Sequence, residues 1–367
     1  LGAFGQGHVN FMPVLYTVEF RGDKLPPASL LGIFKPQLYS TAYFTGARST
    51  TVTVPPGRYS MGVFGITWQG MHFQGDADNA LTHWHYSADV APIHYQAEDV
   101  RNGNNYSGEI KGFTFSGKRH QGPHKFWLGS GRSAFQGAEF KRNGKRIALL
   151  KPGHGRSSTS ASDHGRFLDS KAEFTMNGGE IKGWPFSQSR MSVVLAHINA
   201  AALRSATDQI RANETGAASS AKLDGMIAAM LKGFDGAQGK VTLLLKSQDG
   251  QFRVHATASE TGAAPAAATA MPASDVMLKR LVARADLDFD RKIVDSFASQ
   301  VLGGSRAQQM VDRVMGEWVK EGLLEAGKKG QYHSRIEYRA GTVKVNGKVI
   351  YDAALKAPAA GTAAKGK

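Results

Sequence analysis

The 367-residue sequence has no cysteine, fewer acidic than basic residues and no long apolar run. Without cysteine the chain forms no disulfide, thiolate metal site or cysteine nucleophile, although this absence is compatible with either a reducing or an oxidising compartment. No apolar stretch reaches the roughly 18–20 residues that a membrane-spanning helix needs. What remains is a globular composition, with 41% hydrophobic and 20% charged residues.

The shortage of acidic residues is concentrated in one segment. The whole chain has a formal net charge of +15, and residues 101–156 contain twelve Lys or Arg against only Glu109 and Glu139. Such a field favours anionic partners, including lipid headgroups, lipopolysaccharide and nucleic acid. A solvated basic face is the structural alternative. The candidate residues for contact with an anionic surface are Lys118, Arg119, Lys125, Arg132, Lys141, Arg142, Lys145 and Arg146.

Nucleic acid is the weaker of these partners. The sequence has no zinc-finger spacing, no basic-region heptads and no aromatic and basic signature of an RNA-binding sheet. The charge therefore favours lipid headgroups or lipopolysaccharide over nucleic acid.

The first half of the chain alternates between apolar and polar residues with a period of two, from Val9 to His197. This alternation, interrupted by Gly, Asn and Asp, is typical of strands with one buried and one wet face. The Asn-Gly pairs at 102–103, 143–144 and 177–178 predict hairpin turns, since both residue types tolerate positive φ. Strands are predicted at 14–20, 49–54, 83–90, 172–176 and 191–197.

One phrase occurs twice, as GEIKGFTFS at 108–116 and GEIKGWPFS at 179–187. It indicates a repeated structural unit, because it has no catalytic form. We expect the two copies to be equivalent strand ends of one sheet. Ile110 and Ile181 should then point inward, with the Glu and Lys residues beside them pointing outward.

Helices are predicted after Ile198. Asn199 is a candidate N-cap for a helix at 200–212, and a second amphipathic helix is expected at 220–234. A β-hairpin follows at 240–258, and the Ala/Pro-rich segment 262–274 has the composition of a linker.

The last part of the chain combines strands with the clearest helix of the sequence. A strand at 284–290 places Leu287 and Phe289 opposite three Asp, and residues 291–301 are predicted to be helical. Ser305 and Gln308 form a capping box for the next helix. Its apolar stripe includes Met310, Val314 and Trp318, which either pack in the core or line an apolar groove. A closing hairpin is predicted at 332–348 and a disordered tail from Ala354.

Two polar clusters contain residue types that occur in reactive sites. His83 and His85 share a strand face and could chelate Zn or Cu with His94, His120 or His124, but no acidic motif completes such a site. Residues 153–165 contain Ser, His and Asp without a nucleophile elbow, so a polar surface loop is predicted there. The sequence thus predicts no catalytic residue, no metal site and no cofactor.

The second half also shows a family resemblance. Leu195-Ala-His-Ile-Asn, then Asp286-Leu-Asp-Phe before a helix, then Trp318-Val-Lys-Glu-Gly-Leu-Leu and the closing Gly341-Thr-Val-Lys-Val-Asn-Gly follow one order. With Phe126-Trp-Leu-Gly, this order resembles the YdgA family, bacterial envelope proteins of unknown biochemical function. The resemblance covers about residues 50–352 and implies a periplasmic body, anchored to the inner membrane in the full-length precursor. It supplies no catalytic residues.

These observations predict an α+β fold: a large, twisted, mostly antiparallel sheet with amphipathic helices from the C-terminal half covering one face. The expected divisions are 1–197, 198–261, 262–274, 275–352 and 353–367. The predicted role is a non-enzymatic, membrane-associated periplasmic protein that contacts anionic lipid on an apolar sheet face. The alternative is a scaffold that binds an envelope protein through its basic face or a sheet edge. A homo-oligomer is also compatible with the sequence.

Overall fold

The structure is a computed structural model that describes residues 14–21, 30–213, 233–260 and 279–352. The chain divides into two compact units. The first unit comprises residues 1–160 and 171–190, and the second comprises 161–170 and 191–367. The predicted linker 262–274, the tail from 354 and most of the predicted helix 220–234 lie outside the described residues.

Strands dominate residues 14–186. The elements there are β1 Val14–Arg21, α1 Leu30–Phe34, β2 Gln37–Tyr43, β3 Arg48–Val54, β4 Gly57–Met61, β5 Phe64–Trp68, β6 Met71–Ala77, β7 His83–Val90, β8 Ile93–Asp99, β9 Asn104–Ile110, β10 Phe113–Gln121, β11 Trp127–Phe135, β12 Ala138–Arg142, β13 Lys145–Leu150, β14 Gly153–Ser162, β15 Phe167–Met176, β16 Gly179–Ile181 and β17 Trp184–Phe186.

Helices become frequent only after these strands. The elements are β18 Gln188–Asn199, α2 Ala200–Asn213, β19 Gln238–Ser247, β20 Gly250–Glu260, β21 Leu281–Asp290, α3 Arg291–Phe297, a π-helical turn Ala298–Gly303, α4 Gly304–Lys320, β22 Glu325–Ala326, β23 Gln331–Arg339, β24 Thr342–Val345 and β25 Lys348–Asp352.

The predicted α+β class is wrong. Strands account for 63% and helices for 18% of the structure, and the strands form two large antiparallel sheets without the expected helical cover. The reason is visible between residues 30 and 199, where the described chain contains no α-helix except the five-residue α1. Aromatic side chains of neighbouring strands pack against one another there, as where Trp84 of β7 contacts Phe73 of β6.

Two antiparallel ladders build the first unit. The first ladder, which we call the main ladder, pairs its strands in the order β1, β2, β3, β6, β7, β10, β11 and β14. The second ladder is the eight-stranded sheet, in the order β4, β5, β8, β9, β12, β13, β16 and β17. From β3 to β14 the chain therefore passes back and forth between the two ladders, changing ladder after every second strand.

Two-residue interruptions, which we call crossovers, connect the ladders. They lie at 55–56, 69–70, 91–92, 111–112, 136–137, 151–152 and 177–178, and the second residue of each is Gly or Pro. Neighbouring crossovers exchange hydrogen bonds: the Lys111 N–H donates to the Gly137 carbonyl at 2.9 Å, and the Gln136 N–H to the Gly112 carbonyl at 3.0 Å. Gly112 has φ +114°, and an added Cβ would lie 2.5 Å from the Val90 carbonyl oxygen. Only glycine fits that position without strain.

The repeated phrase occupies two different structures. Its Gly-Glu-Ile parts lie in β9 and β16 of the eight-stranded sheet, but Lys111-Gly112 is a crossover, whereas Lys182-Gly183 is the turn of the β16–β17 hairpin. Both copies are therefore strand ends of one sheet, as predicted, but they are not equivalent, because the chain continues differently after each strand. Ile181 is also 36% exposed rather than inward. Its strand is only three residues long, and the buried aromatic residues of this copy are Trp184 and Phe186, 1% and 5% exposed.

The Asn-Gly pairs gave two correct predictions and one error. The pairs at 102–103 and 143–144 lie in the turns of the β8–β9 and β12–β13 hairpins. The pair at 177–178 is a crossover, because the Asn177 N–H donates to Pro152 instead of closing a hairpin. Residues 153–165, predicted to be a loop, form β14 and a 3-10 turn.

The second unit contains a sheet with an apolar and a charged face. Its strands pair in the order β19, β20, β21, β23, β24 and β25. One face carries residues such as Val254 and Leu287, and the other carries Arg253 and Asp288. The predicted alternation of β21 and the closing hairpin are confirmed. Helices α3 and α4 bury Ile293, Val311 and Met315.

Helix ends were predicted with mixed success. The Asn199 Oδ1 accepts the Ala202 N–H at 3.0 Å, so the predicted N-cap of α2 is confirmed. The capping box of α4 is wrong: the helix starts one residue earlier, after Gly303, which makes no side-chain cap. The Gln308 side chain instead donates to Asp295 at 2.9 Å, because that carboxylate lies within reach on the preceding helix.

Candidate functional site

The alternation of the main ladder separates an apolar face from a polar one. Val52, Phe73, Ala88 and Phe115 stand opposite one another across four strands. The adjacent row, one residue along each strand, is Thr51, Gln74, Ser87, Ser116, Arg132 and Arg156. Because side chains alternate between the faces of a strand, this second row lies on the opposite face. Its members from Ser87 onward are exposed.

A groove runs along this polar face, and we call it the basic groove. One part, of about 540 Å³, is lined by residues that include His85, Ser116, Lys118, Ser130 and Arg132. A second part, of about 350 Å³, shares Ser130 and Arg132 and adds Arg156, Ser158, Lys171 and Glu173. All of these residues belong to the first unit. The groove is thus rich in cations and hydroxyl groups.

Two arginines in this groove face each other directly. Arg132 of β11 pairs in register with Arg156 of β14, which places their Cβ atoms about 5 Å apart. In the described part of the chain neither guanidinium has a carboxylate within 4.0 Å. Like charges directly opposite on neighbouring strands are destabilising, so the fold itself does not explain this arrangement.

The two carboxylates that line the groove are already committed elsewhere. Asp76 accepts a hydrogen bond from the Ser49 hydroxyl at 2.7 Å. Glu173 contacts the Lys171 ammonium at 3.1 Å and the Arg190 guanidinium at 3.2 Å. The hydrogen bond from Lys171 holds the pKa of Glu173 below its ordinary value. Glu173 therefore compensates these two cations and leaves the arginine pair available for an external anion.

The structure separates the predicted anionic-surface residues into four places. Lys118 and Arg132 line the basic groove. Arg119 points to the opposite face of β10 and donates to the Gly129 carbonyl at 3.4 Å, while Lys125 lies in the turn between β10 and β11. Lys141, Arg142, Lys145 and Arg146 surround the β12–β13 hairpin in the other ladder.

The sequence analysis missed Arg156 and Lys171. Arg156 was placed in a surface loop because Gly, Ser and Thr dominate residues 153–160. The signal that could have found it is the alternation of His154, Arg156, Ser158 and Ser160 with Gly153 and Gly155. Both glycines are buried, and Phe174 packs beside them.

The remaining predicted residues lie outside the groove or at its edge. On α4, Met310 and Trp318 are 52% and 46% exposed, and with the half-buried Val314 they form one helix stripe. The buried stripe of that helix consists instead of Ala307, Val311 and Met315.

His83, one of the two histidines of β7, has structural partners. The His83 Nδ1 lies 2.9 Å from Asp78, and His83 stacks with His120 at 6.1 Å between ring centroids. The backbone N–H of His83 also donates to Asp78, which holds the pKa of that carboxyl well below its usual range. Across the described ranges, no three His, Asp or Glu side chains cluster as metal ligands. Asp78 thus organises the β6–β7 turn.

The comparisons with known proteins are informative at the level of the family. No helix in the described residues is both long and apolar enough to cross a membrane. No curated protein matches the sequence. A family model described as "Bacterial protein of unknown function (DUF945)" matches residues 1–351. Because this match includes both units, the chain belongs to the bacterial DUF945 family, whose function is unknown.

Proposed function

We propose that this protein is a non-enzymatic, membrane-associated protein of the bacterial envelope that contacts anionic lipid headgroups through the basic groove. The observation that carries the proposal is the facing pair Arg132 and Arg156, which has no carboxylate partner in the described chain. A bound phosphate group would convert the repulsion between the two guanidinium groups into attraction.

The chemistry of the groove suits phosphate. Arginine presents a planar fork of donors that matches phosphate oxygens, and such charge-assisted hydrogen bonds are among the strong ones. Lys118 adds a third cation on the same face, and Ser130 and Ser158 stand opposite each other beside the arginines. Hydroxyl donors next to the arginines would complete the ring of donors around a headgroup.

The groove suits binding rather than chemistry. Ser116, Ser130 and Ser158 have no hydrogen bond to a carboxylate or an imidazole in the described residues, so no base is positioned to activate them. The groove is also open along an exposed sheet face, which suits a headgroup that stays attached to its membrane. The resemblance to the YdgA family supports a periplasmic location and a membrane anchor in the full-length precursor.

The proposal is tested by co-sedimentation with vesicles at low salt. We expect binding to vesicles containing phosphatidylglycerol and none to vesicles of phosphatidylcholine alone. The double substitution Arg132→Gln and Arg156→Gln should weaken binding at least tenfold. Raising the salt concentration should weaken the binding of the unmodified protein, because exposed charges are screened.

The matched control is Arg142→Gln with Lys145→Gln. These residues come from the same basic segment and have no ion pair in the described chain, so their substitution also removes two unpaired charges. They lie at the β12–β13 hairpin, outside the groove. Retained binding in this control supports the groove. An equal loss of vesicle binding in both double variants would show that net charge alone accounts for the binding. Equally tight binding of inorganic phosphate would show that the site recognises the free anion.

A scaffold role is the second candidate, and one observation favours it. The strand β25 carries Val349, Ile350 and Tyr351 as exposed side chains. An exposed apolar strand can pair with a strand of another chain. A stoichiometric protein partner in crosslinking, lost with Ile350→Lys and obtained without lipid, would favour the scaffold over the lipid contact.

A further inference from the structure

The basic groove contains two cationic centres rather than one. Lys118 of β10 pairs in register with Ser130 of β11, whereas Arg132 of β11 pairs with Arg156 of β14. Lys118 and Arg132 are therefore diagonal neighbours on adjacent strands, a spacing of about 7–8 Å. We call Lys118 the lysine centre and the two arginines the arginine centre.

Hydroxyl groups lie between the two centres. Ser116 is two residues from Lys118 on β10 and stands opposite Arg132, and Ser130 is two residues from Arg132 and stands opposite Lys118. Because residues two apart on a strand share a face, these four side chains form the corners of one exposed patch. The cations occupy one diagonal and the hydroxyls the other. A ligand that extends from one centre to the other would therefore meet hydroxyl groups on the way.

The charge of the lining indicates the charge of the ligand. The side chains of Lys, Arg, Asp and Glu that line the groove are Lys118, Arg132, Arg156, Lys171, Asp76 and Glu173. With histidine counted as neutral, four cations and two carboxylates leave an excess of two positive charges. A ligand with two singly charged phosphodiester groups neutralises this excess, whereas a single phosphodiester compensates only half of it.

The donors divide between two phosphate groups in the same way. A phosphodiester has two non-bridging oxygens, and the two guanidinium forks of Arg132 and Arg156 supply enough N–H donors to satisfy both. Lys118 has no carboxylate within 4.0 Å in the described part of the chain. Its ammonium group thus remains available for a second phosphodiester beside the first.

The lining favours a lipid headgroup over single-stranded nucleic acid, which also has successive phosphodiesters. Proteins that bind single strands stack the bases on aromatic side chains. Tyr86 is the one Phe, Tyr or Trp among the described residues that line the groove. It lies one residue from the exposed His85, and its hydroxyl oxygen would be 2.5 Å from a Cβ added at Gly117. Its ring therefore packs on the opposite face and offers no stacking surface.

We propose that the basic groove binds a phospholipid whose headgroup has two phosphodiester groups joined by a short polyol bridge, as in cardiolipin. One phosphodiester lies on the arginine centre and the other on the lysine centre, and the bridge lies across Ser116 and Ser130. This inference rests on the proposed function, because it names the lipid class that the same groove recognises.

Co-sedimentation with two sets of vesicles of equal surface charge tests the proposal. In one set, each cardiolipin molecule replaces two molecules of phosphatidylglycerol. We expect at least tenfold tighter binding to cardiolipin, because two linked phosphates bind as a unit. Equal binding to both sets, lost in the arginine double variant, would overturn this inference and leave the proposed function standing. Absence of binding to either set would overturn both.

Lys118→Gln isolates the lysine centre. Because Lys118 is exposed, the variant should fold normally, lose the preference for cardiolipin and bind phosphatidylglycerol almost as before. Arg119→Gln is the matched control: it removes one charge from the next residue of β10, on the opposite face, and should keep the preference. A preference that survives Lys118→Gln, or equal losses in the two variants, would refute the lysine centre. An oligothymidylate that binds as tightly as cardiolipin vesicles would replace the lipid with nucleic acid.

Discussion

The charged sheet faces of the two units differ in whether their cations are paired with carboxylates. In the second unit Asp286 accepts hydrogen bonds from Arg284 and Arg335, both at 2.9 Å, and Asp288 lies 2.8 Å from His333. In the first unit Arg132 and Arg156 face each other with no acidic partner in the described chain. Net charge does not distinguish these cases. Pairing does, because a compensated charge supports the fold and an uncompensated one is available to a ligand.

The covering of the sheets differs as well. The second unit buries residues of α3 and α4, whereas the first unit relies on crossovers and aromatic contacts between its strands. If packing and pairing distinguish the two units, substitutions should range from a large loss of stability at a buried helix residue to almost none at an arginine of the groove.

The largest effect is expected for Met315→Ala in α4. Met315 is 4% exposed, and truncating a buried Met to Ala lowers the free energy of unfolding by about 2–5 kcal/mol. Met310→Ala on the exposed stripe of the same helix should change it by less than about 0.5 kcal/mol. Urea unfolding followed by circular dichroism measures both. Equal effects would show that α4 does not bury the stripe that contains Ala307, Val311 and Met315.

The repeated phrase provides the second test. Gly112→Ala combines a positive φ with an approach of 2.5 Å to the Val90 carbonyl oxygen, and we expect a loss of about 3 kcal/mol in the free energy of unfolding. Gly183 also has a positive φ, but no neighbouring atom lies within 4 Å of the added Cβ. For Gly183→Ala we therefore expect only the cost of a left-handed backbone conformation, about 1 kcal/mol. The same urea unfolding experiment compares them. Similar losses would contradict the difference between crossover and hairpin.

Asp286→Asn tests the paired face. It leaves Arg284 and Arg335 without their shared carboxylate, and we expect a loss of about 1 kcal/mol at neutral pH. The hydrogen bond from Arg284, together with Arg335, lowers the pKa of Asp286 in the folded state. The stabilisation is therefore complete above the ordinary aspartate pKa of about 4 and disappears as the pH falls through the lower folded value.

The measurement is the free energy of unfolding of both proteins between pH 7 and pH 2. The difference between wild type and Asp286→Asn should shrink as the solution becomes acidic. A difference that stays constant across this range would show that ionisation of Asp286 contributes nothing.

The smallest effect is expected for Arg156→Gln in the groove. Because its guanidinium faces Arg132 and has no carboxylate partner, its loss should leave the free energy of unfolding within about 0.5 kcal/mol of wild type. Any gain in stability of the variant over wild type should become smaller in added salt, because salt screens the repulsion between the two arginines in the wild type. A clear destabilisation, comparable to that of Asp286→Asn, would place Arg156 among the structural charges.

The local signals in the sequence identified strands better than they identified connections. Alternation located β3, β7 and β18, and the Asn199 cap marked the start of α2, because both signals depend on near neighbours in the chain. Gly112 and Gly183 sit in the same five-residue phrase, so local sequence could not distinguish a crossover from a hairpin. The difference comes from the partner of each lysine N–H, Gly137 in one case and Ile147 in the other.

The sequence predicted that the candidate site is basic, but it did not predict which residues form it. The concentration of charge in residues 101–156 pointed to Lys118 and Arg132. Selecting these two from eight candidates and adding Arg156 requires the register of β10, β11 and β14, which fixes the residues that share a row.

The crossovers also constrain how the length of this chain can vary in evolution. A residue inserted within a strand moves every later side chain of that strand to the opposite face. Between β5 and β16 each crossover is hydrogen-bonded to a neighbour, so a change of length there would disturb two strands at once. Insertions and deletions in related sequences should therefore gather at the hairpin ends, such as 99–104 and 142–145, and avoid the Gly and Pro positions of the crossovers.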